Sequence, residues 1–350
     1  MASVIRFSWL LPIVAVLLWN SEALAQTVNA PSTASTALTP IVLGPRSTLP
    51  FSFTSKAPSM RSTAEFEALL DNPDQWSELR LSVGAILYPD WGFRSMSDTE
   101  LNQWMSKMRA LNLTLELEVG VIKPWSSSGE KSFQKDSVVW DRIIKAGGVI
   151  SAVAMDDPLS AAVSQVKPPM SVENGVREIA AFVALVHQHY PNIKVGLINP
   201  YPFFSPEDTI SAVNNLQGKL SHMGARGLDF YRMDPNWIAF VLGNHPGSWD
   251  GMKQIQQYCD SIKLPFSLIY WPAGYPRDVK LNGDVHDDKL WYKGLMQEGA
   301  GYAGTGMKPN QIVIESWVGA PSLTVPESNS LTLTGSALDF LHKYGLSATQ

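Results

Sequence analysis

The amino-acid sequence predicts an α/β fold, specifically a (β/α)8 TIM barrel with an irregular or missing eighth strand. Short apolar, β-branched runs alternate with amphipathic stretches that end at Gly or Pro, which is typical of parallel β-α-β units. Seven such strand runs are visible along the 350 residues. No Gly-rich phosphate loop follows an early strand, which disfavours the competing fold, a doubly wound open sheet.

The first residues have the layout of a secretory signal peptide. Arg6 precedes an apolar run from Trp9 to Trp19, and Ala23 and Ala25 supply the small residues of a cleavage site. The run is short for a membrane span. We therefore expect residues 1–25 to be removed, leaving an exported protein, periplasmic or secreted, with no membrane insertion after cleavage.

The next segment, residues 26–62, is rich in Ser, Thr, Ala and Pro and has no sustained periodicity. It predicts a flexible N-terminal segment, except that Leu49 to Phe53 is expected against the barrel. Residues 63–350 are then expected to form one TIM-barrel catalytic domain, a normal size for this fold.

The elements of the barrel follow in order along the chain. The predicted strands are Leu81–Leu87, Leu113–Val119, Ile150–Met155, Lys194–Ile198, Leu228–Met233, Phe266–Tyr270 and Gln311–Glu315. Predicted helices between and after them include 97–111, 174–190, 205–223, 248–262 and 336–344. An eighth strand is expected in the region 323–334, unless the barrel is incomplete there.

Composition narrows the functional classes. The net charge is −5 and there is no basic block, which argues against a nucleic-acid partner. The single cysteine, Cys259, forms no internal disulfide and is predicted to be a buried small side chain. No histidine pair has metal-ligand spacing with a carboxylate as third ligand, and neither a metal nor an organic cofactor is predicted. No Gly-x-Ser-x-Gly elbow occurs, so a Ser/His/Asp triad is not supported. The oligomeric state stays open.

Carboxylates and aromatic residues follow the predicted strands, at the end of a TIM barrel where active sites lie. Aromatic faces stack on sugar rings, and glycosidic cleavage needs two carboxyl groups with different pKa values. The predicted catalytic residues are Asp157 as general acid, Glu315 as nucleophile or base, and Asp234 as a third carboxylate. The predicted substrate-binding residues are Asp156, Glu118, Asp90, Trp91, Asn199, Tyr201, Arg232, Trp237, Tyr270, Trp271 and Trp317.

Strand alternation qualifies two of these assignments. Only one of the adjacent Asp156 and Asp157 is expected to face the barrel mouth, and the other is expected to cap a loop or helix through backbone N–H groups. Glu118 ends an alternating run of leucines, and the pattern leaves open whether it faces the mouth or the opposite side of the sheet.

Four short motifs resemble a poorly characterised group of bacterial exported, glycosidase-like TIM-barrel proteins. They are Glu118-Val119-Gly120, Asp156-Asp157-Pro158, the run 230–237 and the stretch from Ser316 to Glu327. The chain has Asp157 where that group tends to have Glu, Asn199 where it has another Glu, and Glu315 where it often has Gln. Glu315 also resembles the nucleophile position of the large retaining glycosidase clan, whose fourth-strand acid is missing here.

The sequence thus predicts a glycoside hydrolase acting on an extracellular or periplasmic polysaccharide by carboxylate acid/base catalysis. A non-catalytic carbohydrate-binding barrel is the alternative, which the missing fourth-strand acid would permit. A metal-dependent hydrolase is a third reading and would need two His ligands at a strand end, which the sequence does not offer. Retaining or inverting chemistry depends on the separation of the carboxyl groups and stays open.

Overall fold

The computed structural model describes residues 41–46, 64–236, 247–272, 287–316 and 320–344. The predicted signal peptide lies outside the described residues, as do Leu49 to Phe53, Trp237 and Trp317. In the described part of the chain, no helix is long and apolar enough to span a membrane.

The described residues form a closed barrel of eight parallel strands, and this confirms the predicted TIM-barrel class. Each strand pairs with the next along the chain, and the last pairs with the first. The strands are β1 (Ile41–Arg46), β2 (Val83–Pro89), β3 (Thr114–Val119), β4 (Ile150–Met155), β5 (Lys194–Tyr201), β6 (Phe230–Pro235), β7 (Phe266–Tyr270) and β8 (Gln311–Ser316).

Strand β1 corrects the sequence prediction. It lies within the segment predicted to be flexible, and the barrel therefore begins before residue 63. The register of β1 shifts against both neighbours, β2 and β8, so this strand is irregular. The region 323–334 is not a strand; its Leu333 and Thr334 amides instead donate to the carbonyls of Leu323 and Thr324.

Helices surround the barrel and connect its strands. In the described residues they are α1 (Ala64–Asp71), α2 (Ser77–Arg80), α3 (Asp98–Ala110), α4 (Gly129–Lys145), α5 (Pro158–Ser164), α6 (Val172–His189), α7 (Pro206–His222), α8 (Trp249–Ser261), α9 (Asp288–Ala303) and α10 (Leu333–Tyr344). Two 3-10 turns occupy Pro73–Trp76 and Asp90–Phe93.

Serine residues fix where five of these helices begin. Each serine hydroxyl accepts a hydrogen bond from a backbone N–H three residues later, which satisfies a donor left free by the first turn. The serines are Ser97, Ser128, Ser171, Ser205 and Ser248. Each cap therefore fixes the point at which the preceding loop ends and the helix begins.

A polar network fills one layer of the barrel interior, around Arg232 of β6. The Arg232 guanidinium donates to Glu116 Oε2 at 2.5 Å, to Gln311 Oε1 at 2.6 Å and to Ser267 Oγ at 3.0 Å. Gln311 Nε2 donates back to Glu116 Oε1 at 2.8 Å. Arg232 is 0% exposed. Its prediction as a substrate-binding residue is therefore corrected: its Nε and Nη2 atoms donate inside the barrel, one layer below the mouth.

Candidate active site

The Arg232 network identifies which side of each strand faces inward. Residues two positions further along the same strands, Glu118 after Glu116 and Asp234 after Arg232, face inward in the next layer. Glu315 follows Gln311 by four residues and has the same orientation. In β4 the partner of Glu118 is Ala154, so Asp156 is the inward-facing member of its pair. The inward carboxylates thus meet at the carboxyl ends of β3, β4, β6 and β8.

Electrostatic effects confirm that these groups are neighbours. Burial raises the pKa of Glu118 well above its usual value, and Asp156 and Glu315 raise it further. Burial likewise raises the pKa of Asp234, with added contributions from Asp157 and Glu315. Burial and neighbouring like charges thus favour the protonated forms of these carboxyl groups.

Asp157 departs from simple strand alternation. Its backbone is left-handed, with φ 44° and ψ 39°, a conformation that is uncommon outside glycine and that changes the direction of the chain before α5. Its side chain makes no capping bond to α5, which corrects the expectation that the second Asp of the pair would be a cap. Within the described part of the chain its Oδ1 atom is buried without a hydrogen-bond partner. Burial, followed by Asp156, raises the pKa of Asp157 to about 8.

Lys123 places a positive charge in this acidic mouth. Its ammonium donates a hydrogen bond to Asp156 Oδ2, and its side chain is only 12% exposed. Burial opposes its charge, but Asp156, Asp157 and Glu118 outweigh that effect and raise the pKa of Lys123. Lys123 therefore stays protonated and partly neutralises the cluster. Sequence reasoning missed this residue because it lies in a loop, four residues beyond β3.

Trp271 supports Asp234 directly. Its indole Nε1 donates to Asp234 Oδ1 at 2.5 Å, and this bond partly offsets the increase in the pKa of Asp234. Trp271 is 2% exposed. It lies at the mouth as predicted, but in the structure it is a buried hydrogen-bond donor to a carboxylate rather than an open stacking surface.

Two predicted binding residues on β5 point away from the interior. Asn199 pairs with Met233, out of phase with the inward-facing Arg232, and lies beside the Tyr231 hydroxyl behind the sheet. The Tyr201 hydroxyl accepts from Ser248 N at 2.8 Å and donates to Ser248 O at 3.1 Å. These positions correct both predictions, because Tyr201 joins β5 to α8 and Asn199 is 1% exposed.

The predictions that Tyr270 and Asp90 bind substrate are also corrected. The Tyr270 ring packs against Phe340 of α10, with centroids 4.7 Å apart, and so faces the outer helices. Asp90 is 1% exposed and accepts from Arg94 Nη2 at 2.9 Å, while the same atom of Arg94 donates to Asp136 of α4 at 2.6 Å. Trp91, beside Asp90, is half-buried in the 3-10 turn.

The donor set of the mouth is almost entirely carboxylate. In the ranges that the structure describes, no group of three or more His, Cys, Asp or Glu side chains has an arrangement that could hold a metal ion. The mouth can instead donate protons from neutral carboxyl groups, accept them on ionised ones, and bind polar ligands with both.

No protein-family model matches the chain, and no curated protein matches its sequence. Structures with a similar fold include a D-psicose 3-epimerase from Clostridium cellulolyticum H10 (12% identity, 81% of this chain and 94% of that one, TM-score 0.46). They also include an O-GlcNAc hydrolase from Thermobaculum terrenum (10%, 87% and 60%, 0.48) and an endo-β-1,6-glucanase (12%, 82% and 69%, 0.46). At these identities the similarity assigns no reaction to this chain.

Proposed function

We propose that this protein is a glycoside hydrolase that uses carboxyl groups of the barrel mouth as acid and as nucleophile or base. The observation that carries the proposal is the raised pKa of Asp157, about 8, in a mouth that also contains the buried carboxylate of Glu315. Glycosidic cleavage requires one protonated and one ionised carboxyl group, and we assign the protonated role to Asp157 and the ionised role to Glu315.

Each group has a defined task in the reaction. Asp157 transfers its proton to the glycosidic oxygen as the bond to the anomeric carbon breaks, which releases the leaving sugar as a neutral alcohol. Glu315 either attacks the anomeric carbon or removes a proton from the attacking water, according to the separation of the two groups. If Glu315 attacks, ionised Asp157 then takes a proton from a water molecule that hydrolyses the glycosyl–Glu315 ester, and this restores both groups. If Glu315 instead takes the proton of the attacking water, exchange with solvent removes that proton from Glu315 and returns one to Asp157. Either route consumes one water molecule.

The remaining groups of the mouth bind the sugar hydroxyls and adjust the pKa of Asp157. Asp234, held by Trp271, and Glu118 have raised pKa values and can donate hydrogen bonds to sugar hydroxyls as neutral acids. Lys123 stabilises the negative charge that forms on Asp157 when its proton leaves, because the ammonium opposes the increase in the pKa of Asp157 that burial and Asp156 cause. The signal-peptide pattern of residues 1–25 supports a polysaccharide substrate outside the cytoplasm.

The test is a screen for new reducing ends. The purified protein without residues 1–25 is incubated with laminarin, pustulan, xylan, glycol chitosan and alginate, alongside Asp157→Asn, Glu315→Gln and a control, Asp260→Asn. Asp260 is exposed near the end of α8, so its variant should behave as wild type. Loss of the acid or of Glu315 should lower the rate by about 10²–10⁴-fold.

Two other outcomes of this screen would favour a different function. Binding of a polymer without cleavage, by wild type and both mouth variants alike, would favour the non-catalytic carbohydrate-binding barrel. Cleavage abolished by EDTA and restored by a divalent metal would replace the carboxylate mechanism with a metal-dependent one. Cell fractionation with the full chain tests export separately.

A further inference from the structure

The loop that follows β3 carries an exposed tryptophan. Trp125 is 70% exposed, whereas Trp76, Trp140 and Trp271 are almost completely buried. Single exposed apolar side chains are common on protein surfaces, so exposure alone indicates nothing. The loop starts two residues after Glu118 and is held by hydrogen bonds. Its position and rigidity, together with the exposure, indicate that Trp125 can bind a ligand.

The loop is held by its own hydrogen bonds. Lys123 and Ser126 form a pair of backbone bonds, each 2.9 Å, that closes a tight turn with Trp125 inside it. Ser126 Oγ lies 2.7 Å from Ser132 Oγ of α4, and that hydroxyl donates to Val121 O at 2.7 Å. A rigid turn keeps the indole in place before a ligand arrives, which lowers the entropy lost on binding.

The same loop is attached to the mouth. Lys123, two residues before Trp125, is ion-paired with Asp156. Gly120, the first residue after β3, leaves room for both side chains: a Cβ there would lie 3.0 Å from Lys123 Cγ and 3.7 Å from Trp125 Cζ2. The indole edge therefore lies beside Gly120, two residues after Glu118 at the end of β3, and the side chain remains open to solvent.

We infer that Trp125 and Lys123 form a subsite that stacks a second sugar ring, next to the ring that occupies the carboxylate mouth. The apolar C–H face of a pyranose ring suits the indole, and the ring's hydroxyl groups reach the polar edge formed by Lys123 and Asp156. The substrate is then a chain of at least two sugar units rather than a monosaccharide glycoside. This inference rests on the proposed function for its catalytic consequence, but its binding consequence can be measured independently.

Binding is measured by native gel electrophoresis with laminarin, pustulan, xylan, glycol chitosan or alginate in the gel, using the Glu315→Gln background to prevent cleavage. Trp125→Ala should weaken binding about tenfold, which corresponds to about 1.4 kcal/mol. Trp125→Phe should retain most of the affinity, because it keeps an aromatic face. Leu81→Ala is the control: Leu81 is 85% exposed but lies before β2, at the opposite end of the barrel.

Cleavage kinetics, measured with proteins that retain Glu315, distinguish the Trp125 subsite from the proposed hydrolase activity. For a polymer that is cleaved, Trp125→Ala should lower kcat/KM about tenfold on long chains, mainly through KM, and leave the shortest cleaved aryl glycoside unchanged. Cleavage with no effect of Trp125→Ala at any chain length overturns the subsite and leaves the hydrolase standing. Binding that depends on Trp125 without any cleavage supports the subsite and overturns the hydrolase. No binding to any of the five polymers overturns the subsite.

Discussion

We predict that replacing Arg232 in the buried polar network lowers the free energy of unfolding substantially. Arg232 is fully buried, and its ion-pair partner, Glu116, is 2% exposed. The substitution Arg232→Met fills a similar volume but removes the charged partner of Glu116, whose carboxylate then keeps the neutral hydrogen bond from Gln311 Nε2 at 2.8 Å. Breaking a buried pair on one side costs about 3–5 kcal/mol, because one charge stays buried without its partner. That is a large part of the roughly 5–15 kcal/mol that stabilises an ordinary domain.

Urea unfolding measured by circular dichroism tests this value. The double variant Arg232→Met with Glu116→Gln should recover part of the loss, because no unpaired charge remains in the interior. Arg177→Met is the matched control: Arg177 pairs with Glu178 at 3.5 Å on the surface, and its loss should cost less than about 1 kcal/mol. A loss of stability in Arg232→Met no larger than that in the control would contradict the buried ion pair, and so would a double variant that is no more stable than the single one.

The raised pKa of Asp157 predicts that its contribution to stability is complete below about pH 4, the unfolded pKa, and is lost as the pH rises through about 8, its folded value. Asp157→Asn should therefore flatten the fall in the free energy of unfolding between these pH values, and an unchanged slope in urea titrations would contradict the assignment. Tyr201→Phe removes both hydrogen bonds to Ser248 and should lower the free energy of unfolding by about 1–2 kcal/mol, seen as an earlier urea midpoint. A chain that begins at residue 48 lacks β1 and should lose cooperative thermal unfolding, whereas one that begins at residue 38 should keep it; equal transitions would show that β1 is dispensable.

Most of the barrel could be predicted because each strand has a local pattern. The predictions Ile150–Met155 and Phe266–Tyr270 match the observed strands, and the other predicted strands overlap the observed ones. Strand β1 was missed because only Ile41, Val42 and Leu43 are apolar before Gly44 and Pro45, within a segment rich in Ser and Thr. Its pairing partners, β2 and β8, lie far away in sequence, so tertiary closure rather than local pattern selects it.

The site was predicted less completely, because a parallel strand is apolar on both faces and its sequence does not show which face is inward. Glu118, Asp156, Asp157, Asp234 and Glu315 do converge on one mouth, and this supports the prediction that they form the site. Their catalytic roles stay predictions. Asn199, Tyr201 and Tyr270 also follow strands, but they lie on the outward face, which only the register reveals.

Two layers of the barrel interior contain buried carboxyl groups, and the charge of these groups is balanced differently in each layer. In the lower layer, Glu116 is neutralised by Arg232, whose planar guanidinium bonds several partners at once, and the layer is closed to solvent. In the upper layer the same strands carry Glu118 and Asp234. Among the residues that the structure describes, Lys123 is the cation there, and it is bonded to Asp156. Burial and like charges raise the pKa values of Glu118 and Asp234 in the upper layer, which favours their protonated forms. A proton can leave with a substrate whereas a guanidinium cannot, so only the upper layer is suited to acid/base chemistry.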